Sequence, residues 1–322
     1  MSTDEAFPPV ARNPSRTYTV IGLGAIGGYY GGRLAAAGHT VRFLVRSGAA
    51  DIRRAGLEVT SPHGDIFLPT IDVFDDPTHV PPSDVVVLTT KTTDTLAALP
   101  LLDTLVGPST EAVLVLQNGL GVEATVAERA GEVPVVGGMC FICSHKEGPG
   151  RINHLDYGAV TLGRFRPGYE PAGPTPEVTG IADDLAAAGL PVTRLDALGT
   201  GRWKKLVWNI PYNGLSVVLD AGTDQLMAHS ATRELVTSLM HEVHGAATAA
   251  GHCFDLSFVD TMLTDTEKMT PYAPSMKLDF DAGRPLELDA IYAAPIAAAR
   301  AAGAPMRQVE ALHHQLRFLT GP

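Results

Sequence analysis

The chain has 322 residues, 24 Lys plus Arg against 35 Asp plus Glu, a formal charge of −11, and 45% apolar but only 6% aromatic residues. That length suits two domains of about 150 residues each. The acidic balance argues against nucleic acid or an anionic membrane surface as partner, and three cysteines are too few for a disulfide scaffold.

Residues 1–16 are polar and Pro-bearing, lack the apolar stretch of a signal peptide, and are expected to form a disordered leader. A strand is predicted over Thr17–Ile21, a helix over 28–37 and a second strand over 40–45. Between the first strand and the helix stands Gly22-Leu23-Gly24-Ala25-Ile26-Gly27. In such a strand-to-helix turn the first glycine makes the tight turn, the second lets the backbone approach a pyrophosphate, and the third lets the helix pack on the strand. The helix N-terminus offers free amide donors to the phosphates. GxGxxG alone is a weak signal; here its strand–turn–helix–strand context is present. The second strand ends in Arg46, where an NAD-preferring domain places an acid for the ribose 2′-hydroxyl. No Asp or Glu occurs between Gly22 and Ala50, so a 2′-phosphate paired with Arg46 fits better. The expected cofactor is NADP (NADPH).

Leu57–Thr60, Pro62-His63-Gly64 and 66–70 suggest a small inserted hairpin. Further strands are predicted at Val85–Leu88, 112–116, 133–137, 159–162 and Val192–Leu195, with a Pro/Gly loop at 166–176 and a helix at 177–188. Alternating strands and helices predict an α/β domain, a doubly wound Rossmann-type sheet over 17–196. Cys140 and Cys143 form a lone CxxC within the predicted strand 135–144, where burial explains them as well as redox or metal chemistry does. No apolar stretch is long enough to span a bilayer, and the cytoplasm is the expected compartment.

From 197 to 322 the pattern is helical, with apolar residues three and four apart and loops at Gly222, Gly251 and Gly283. The expected architecture is a Rossmann domain followed by an all-α domain, with a crevice between them. Within 203–218 an apolar helix is interrupted by Lys205, Asn209 and Asn213. Spaced four apart, these fall on one stripe, drifting about 40° per step. Two explanations fit: the stripe faces water, or it aims polar groups at a ligand beside Trp203 and Trp208. Pro211 is expected to kink the helix. His241 and His244 lack the spacing of a HExxH zinc site, and no metal is expected.

Taken in order, Gly22 to Gly27, Arg46, Lys91, Gln117-Asn118-Gly119-Leu120-Gly121 and Trp203-Lys204-Lys205-Leu206-Val207-Trp208-Asn209 resemble the ketopantoate reductase (2-dehydropantoate 2-reductase) family. Ser275-Met276-Lys277-Leu278-Asp279 and Gly283-Arg284-Pro285-Leu286-Glu287-Leu288-Asp289 continue the resemblance, which spans roughly 17–310. Each motif is weak; the ordered set is specific.

The resemblance implies an all-α second domain like the C-terminal domain of 6-phosphogluconate dehydrogenase, and NADPH-dependent reduction of a small 2-oxo acid, foremost 2-dehydropantoate. It implies Lys205 as proton donor, Asn118 near the reacting carbonyl and the nicotinamide, and Glu287 on the substrate hydroxyl and the lysine. Ser275 would bind the substrate carboxylate, Asn209 and Asn213 would make further substrate contacts, and Lys91 would stand near the cofactor. Tyr272 and Tyr292-Ala293 depart from the family pattern and leave a bulkier 2-oxo acid open. Two further alternatives stand: a 3-hydroxyacid dehydrogenase, suggested by Gly201-x-x-x-Lys205-x-x-x-Asn209, and a non-enzymatic NADPH sensor. Ala-rich helices such as 290–304 would pack closely in a homodimer.

Overall fold

The computed structural model describes residues 16–321; the leader expected at 1–16 therefore lies outside the described residues apart from Arg16. The chain divides into two compact units. Among the described residues, unit 1 takes in those up to Thr90, Asp94–Gln117 and Glu123–Asp196; unit 2 takes in Lys91–Thr93, Asn118–Val122 and those from Ala197 onward.

Among the described residues, unit 1 is built on one sheet of ten strands. They are β1 (Thr17–Ile21), β2 (Thr40–Leu44), β3 (Leu57–Thr60), β4 (Ile66–Leu68), β5 (Asp72–Phe74), β6 (Val85–Leu88), β7 (Ala112–Val115), β8 (Val135–Gly148), β9 (Arg151–Arg164) and β10 (Val192–Leu195). Helices α1 (Ala25–Ala36), α2 (Ala49–Ala55), α3 (Thr95–Leu105), α4 (Val122–Ala130) and α5 (Pro176–Ala187) lie in the connections.

The strand order is β4-β3-β9-β8-β7-β6-β1-β2-β5, with β10 also paired to β9. From β5 through β2, β1, β6 and β7 to β8 every pairing is parallel. Strand order therefore reverses direction at β1, the place where open α/β sheets bind ligands. Strands β6 (VVVL) and β7 (AVLV) are buried at every position, as a parallel strand covered on both faces requires.

The hairpin at 57–68 forms as expected, β3 antiparallel to β4. The largest departure is the antiparallel pair β8–β9, fourteen residues in each strand, where the sequence suggested 133–137, extended to 144 around the two cysteines, and only 159–162 for the second arm. Its outer half carries polar residues such as His145, Lys146 and Glu147, and register shifts break the alternation. Its turn signal was present: Pro149-Gly150, with Gly150 at φ +67°, suits a turn that needs a left-handed residue after proline. Cys140 and Cys143 are both buried in β8.

Arg16 is tied down rather than loose. It bonds Asp184 at 2.9 Å and Glu111 at 2.8 Å, and Tyr18 donates to the same buried Asp184 at 2.5 Å. Burial first, and then the Asp184 bond, hold the Tyr18 phenol well above its usual range.

Unit 2 contains α6 (Leu198–Val218), α7 (Thr223–Ala228), α8 (Ser230–Ala249), α9 (Ser257–Lys268), α10 (Ser275–Asp281), α11 (Ala294–Ala301) and α12 (Arg307–Thr320), with a π-helical turn at Asp289–Ala293. Helix α6 is central, packed against α8, α10 and α12, and runs unbroken through Pro211. Among the described residues no helix is long and apolar enough to cross a membrane.

Candidate functional site

In unit 1 the glycine turn closes against the neighbouring strands. Gly22, at φ +101°, donates its N–H to the Leu44 carbonyl at 2.9 Å. The Thr89 hydroxyl donates to the Ile21 carbonyl at 2.9 Å and lies 3.0 Å from that of Gly22. The three glycines answer different demands. A Cβ at Gly27 would lie 2.1 Å from the Gly22 carbonyl oxygen and 3.1 Å from Val20, so close packing of α1 on β1 excludes any side chain. A Cβ at Gly24 would meet nothing within 4 Å; the protein itself does not require glycine there. Gly24 is the N-cap of α1, no side chain caps the helix, and no acid stands in its first turn. Exposed amide donors without a neighbouring carboxylate suit an anion, so the residues present fit a dinucleotide pyrophosphate. Leu23 is buried, and Ala25 and Ile26 open α1.

Arg46, two residues beyond β2, is 87% exposed and lies 3.4 Å from an oxygen of Asp94. Gln117, at the end of the β7 run, donates its amide to the Thr90 carbonyl and the Thr95 hydroxyl.

In unit 2 the stripe on α6 does not face water. Asn209 and Asn213 are 3% and 2% exposed, and only Lys205 is partly exposed. The Oδ1 of Asn213 accepts the backbone N–H of Met276 at 3.2 Å, which ties α6 to the first turn of α10 beside Ser275. The Nδ2 of Asn209 is buried with no hydrogen-bond partner among the described residues. A buried amide donor left unpaired is costly, and such groups in native proteins call for a reason.

A second group assembles around Glu287, which is 4% exposed. Its Oε1 accepts the N–H and the hydroxyl of Thr92 at 2.8 and 2.9 Å, and its Oε2 lies 3.6 Å from the Lys91 ammonium. Lys91 also pairs with buried Asp279 at 2.7 Å, and Arg284 bonds the other Asp279 oxygen at 2.9 Å. Burial lowers the Lys91 pKa, but Glu287 and Asp279 outweigh it and hold the ammonium above its ordinary value. Asn118 is held in the same neighbourhood by its own chain. The next residue, Gly119 at φ +91°, would place a Cβ 2.5 Å from the Ala290 carbonyl, and Leu120 donates to that carbonyl at 2.9 Å.

The expected unit 2 residues thus fall on three joined pieces: the α6 stripe, the start of α10, and the Lys91–Asn118–Glu287 segments. Asp279, Thr92 and Arg284 complete the last piece and were not singled out by the sequence, although Asp279 closes the Ser275-Met276-Lys277-Leu278-Asp279 block. Tyr292 belongs elsewhere. It is fully buried, donates to the Ile210 carbonyl at 2.8 Å and crowds Gly214, so it serves the core and gives no support to a bulkier substrate. His244 bonds the Phe254 carbonyl, and among the described residues no group of three or more metal-ligating side chains occurs.

Residues 18–167 match the family described as ketopantoate reductase PanE/ApbA, and residues 198–320 match ketopantoate reductase PanE/ApbA C terminal. The chain belongs to the ketopantoate reductase family. That membership sets aside the 3-hydroxyacid dehydrogenase, and because the family's members are oxidoreductases it sets aside the non-enzymatic sensor as well. A 2-dehydropantoate 2-reductase of a Nostoc species is 48% identical over 306 residues, covering 95% of this chain and 96% of that protein. The crystal structure of 2-dehydropantoate 2-reductase from Geobacter metallireducens superposes with a TM-score of 0.87 at 36% identity, over 93% of this chain and 98% of that one. That from Methylococcus capsulatus gives 0.85 at 29%, over 94% and 96%. The N-terminal α/β sheet followed by a helical domain is the architecture of this family.

Proposed function

We propose that the chain reduces 2-dehydropantoate to pantoate with NADPH. The observation that carries this is the near full-length likeness to a 2-dehydropantoate 2-reductase, joined to a helix whose Asn209 and Asn213 are buried. When bound, the nicotinamide supplies a hydride to the substrate's C2 carbonyl carbon.

The chain's own residues supply the rest. Gly22 to Gly27 and the open N-terminus of α1 receive the pyrophosphate, and Arg46 pairs with the 2′-phosphate. As hydride arrives, negative charge grows on the carbonyl oxygen. The Lys205 ammonium stabilises that charge and passes its proton to the oxygen, giving the 2-hydroxyl. The unpaired Nδ2 of Asn209, one turn along the same face, donates to a substrate oxygen. Asn213, whose Oδ1 is already engaged by Met276, aligns Ser275 for the substrate carboxylate. Glu287 takes the substrate hydroxyl, Asn118 stands by the reacting carbonyl, and Lys91 serves the cofactor side while balancing Asp279 and Glu287.

Following NADPH consumption with 2-dehydropantoate and a panel of other 2-oxo acids tests this directly. The highest kcat/KM is expected with 2-dehydropantoate, and a clear preference for another acid would refute the substrate assignment.

A further inference from the structure

The sequence places no carboxylate between Gly22 and Ala50, which is why a 2′-phosphate was expected at Arg46. The fold brings one in from a different connection. Strands β2, β1 and β6 are parallel neighbours, so the segments leaving β2 and β6 emerge on the edge that carries the glycine turn. Arg46 follows β2, Asp94 follows β6, and their side chains meet at 3.4 Å within unit 1. Asp94 is the N-cap residue of α3, yet its side chain makes no cap bond, and it is 45% exposed. The carboxylate is not spent on the helix.

We propose that Asp94 is a specificity-determining residue for the cofactor: it supplies from the β6–α3 connection the acid that β2 lacks. The proposal rests on the assignment of this edge to the adenosine ribose of a nicotinamide dinucleotide. Toward NADPH, Asp94 competes with the 2′-phosphate for Arg46 and repels its charge. Toward NADH, the same carboxylate accepts the 2′-hydroxyl. The chain therefore binds both nucleotides, and its preference for NADPH is smaller than Arg46 alone would give. At about 5 Å in a water-like dielectric each phosphate charge is disfavoured about fourfold by such a carboxylate, and salt screens part of that.

The test is fluorescence titration of the full-length chain with NADPH and with NADH at low salt, without any 2-oxo acid, for wild type, D94N and D94S. Each variant removes the charge, and since Asp94 caps nothing the fold should survive in at least one. NADPH is expected to bind about three- to tenfold tighter in the variants, with no tightening of NADH, so the ratio of the two Kd values widens. A ratio unchanged within about twofold overturns the role of Asp94 while leaving the dinucleotide assignment intact. Failure of the wild type to bind either nucleotide overturns both.

Discussion

The ammonium of Lys91 lies 2.7 Å from a carboxylate oxygen of Asp279, a residue buried to 5% exposure. Glu287 stands 3.6 Å away on the other side, so one lysine balances two carboxylates that burial would otherwise penalise. Its raised pKa fixes the sign of the pH dependence. The stabilisation is fully present below the unfolded lysine value, about 10.4, and is lost as pH rises through the higher folded value. The melting temperature of K91M should therefore fall below that of wild type at neutral pH, with the gap closing only in strong alkali. A gap that closes between about pH 7 and 9 would contradict the pairing.

Asn209 and Asn213 occupy the same stripe but should respond oppositely to truncation. N213A removes the acceptor for the Met276 N–H and is expected to cost about 1–3 kcal/mol, visible in denaturant unfolding. N209A removes a donor that has no partner among the described residues, so stability should hold or rise slightly while KM for the 2-oxo acid increases. Equal destabilisation by both would show that the Asn209 amide is committed to the fold.

The glycines of the turn separate in the same way. G27A drives a Cβ to 2.1 Å from backbone oxygen and should lower stability by about 1–3 kcal/mol or more. G24A meets nothing within 4 Å among the described residues, so it should melt near the wild-type temperature yet bind NADPH weakly. Normal binding by G24A would show that the cofactor does not pass over this turn.

Tyr292 offers a check on substrate choice. Y292F loses the bond to the Ile210 carbonyl and should cost about 1 kcal/mol without altering the order of preference among 2-oxo acids. A changed preference would return Tyr292 to the site.

Local signals made much of this legible. The strand, glycine turn and helix at 17–37 and the hairpin at 57–68 follow from short-range chemistry, and so does the stripe on α6. Whether that stripe faced water was not local: burial of Asn209 and Asn213 depends on α8, α10 and α12 closing around α6. Asp279, Thr92 and Asp94 escaped notice for the same reason, since each meets its partner across 48 or more positions, 188 between Lys91 and Asp279. The long β8–β9 arms were hidden because their outer halves are polar and irregular in register. Tyr292 misled through position alone; its neighbours in sequence lie in the π-helical turn, but its side chain enters the core.

Protonation of the carbonyl oxygen by Lys205 during NADPH-dependent reduction of 2-dehydropantoate is the step on which the proposed function turns. Steady-state turnover of wild type and K205A, with NADPH affinity measured separately, tests it most directly. Brisk turnover is expected of wild type and a loss of about 10²-fold or more in kcat of K205A, with NADPH binding retained. Near-normal turnover by K205A would contradict it.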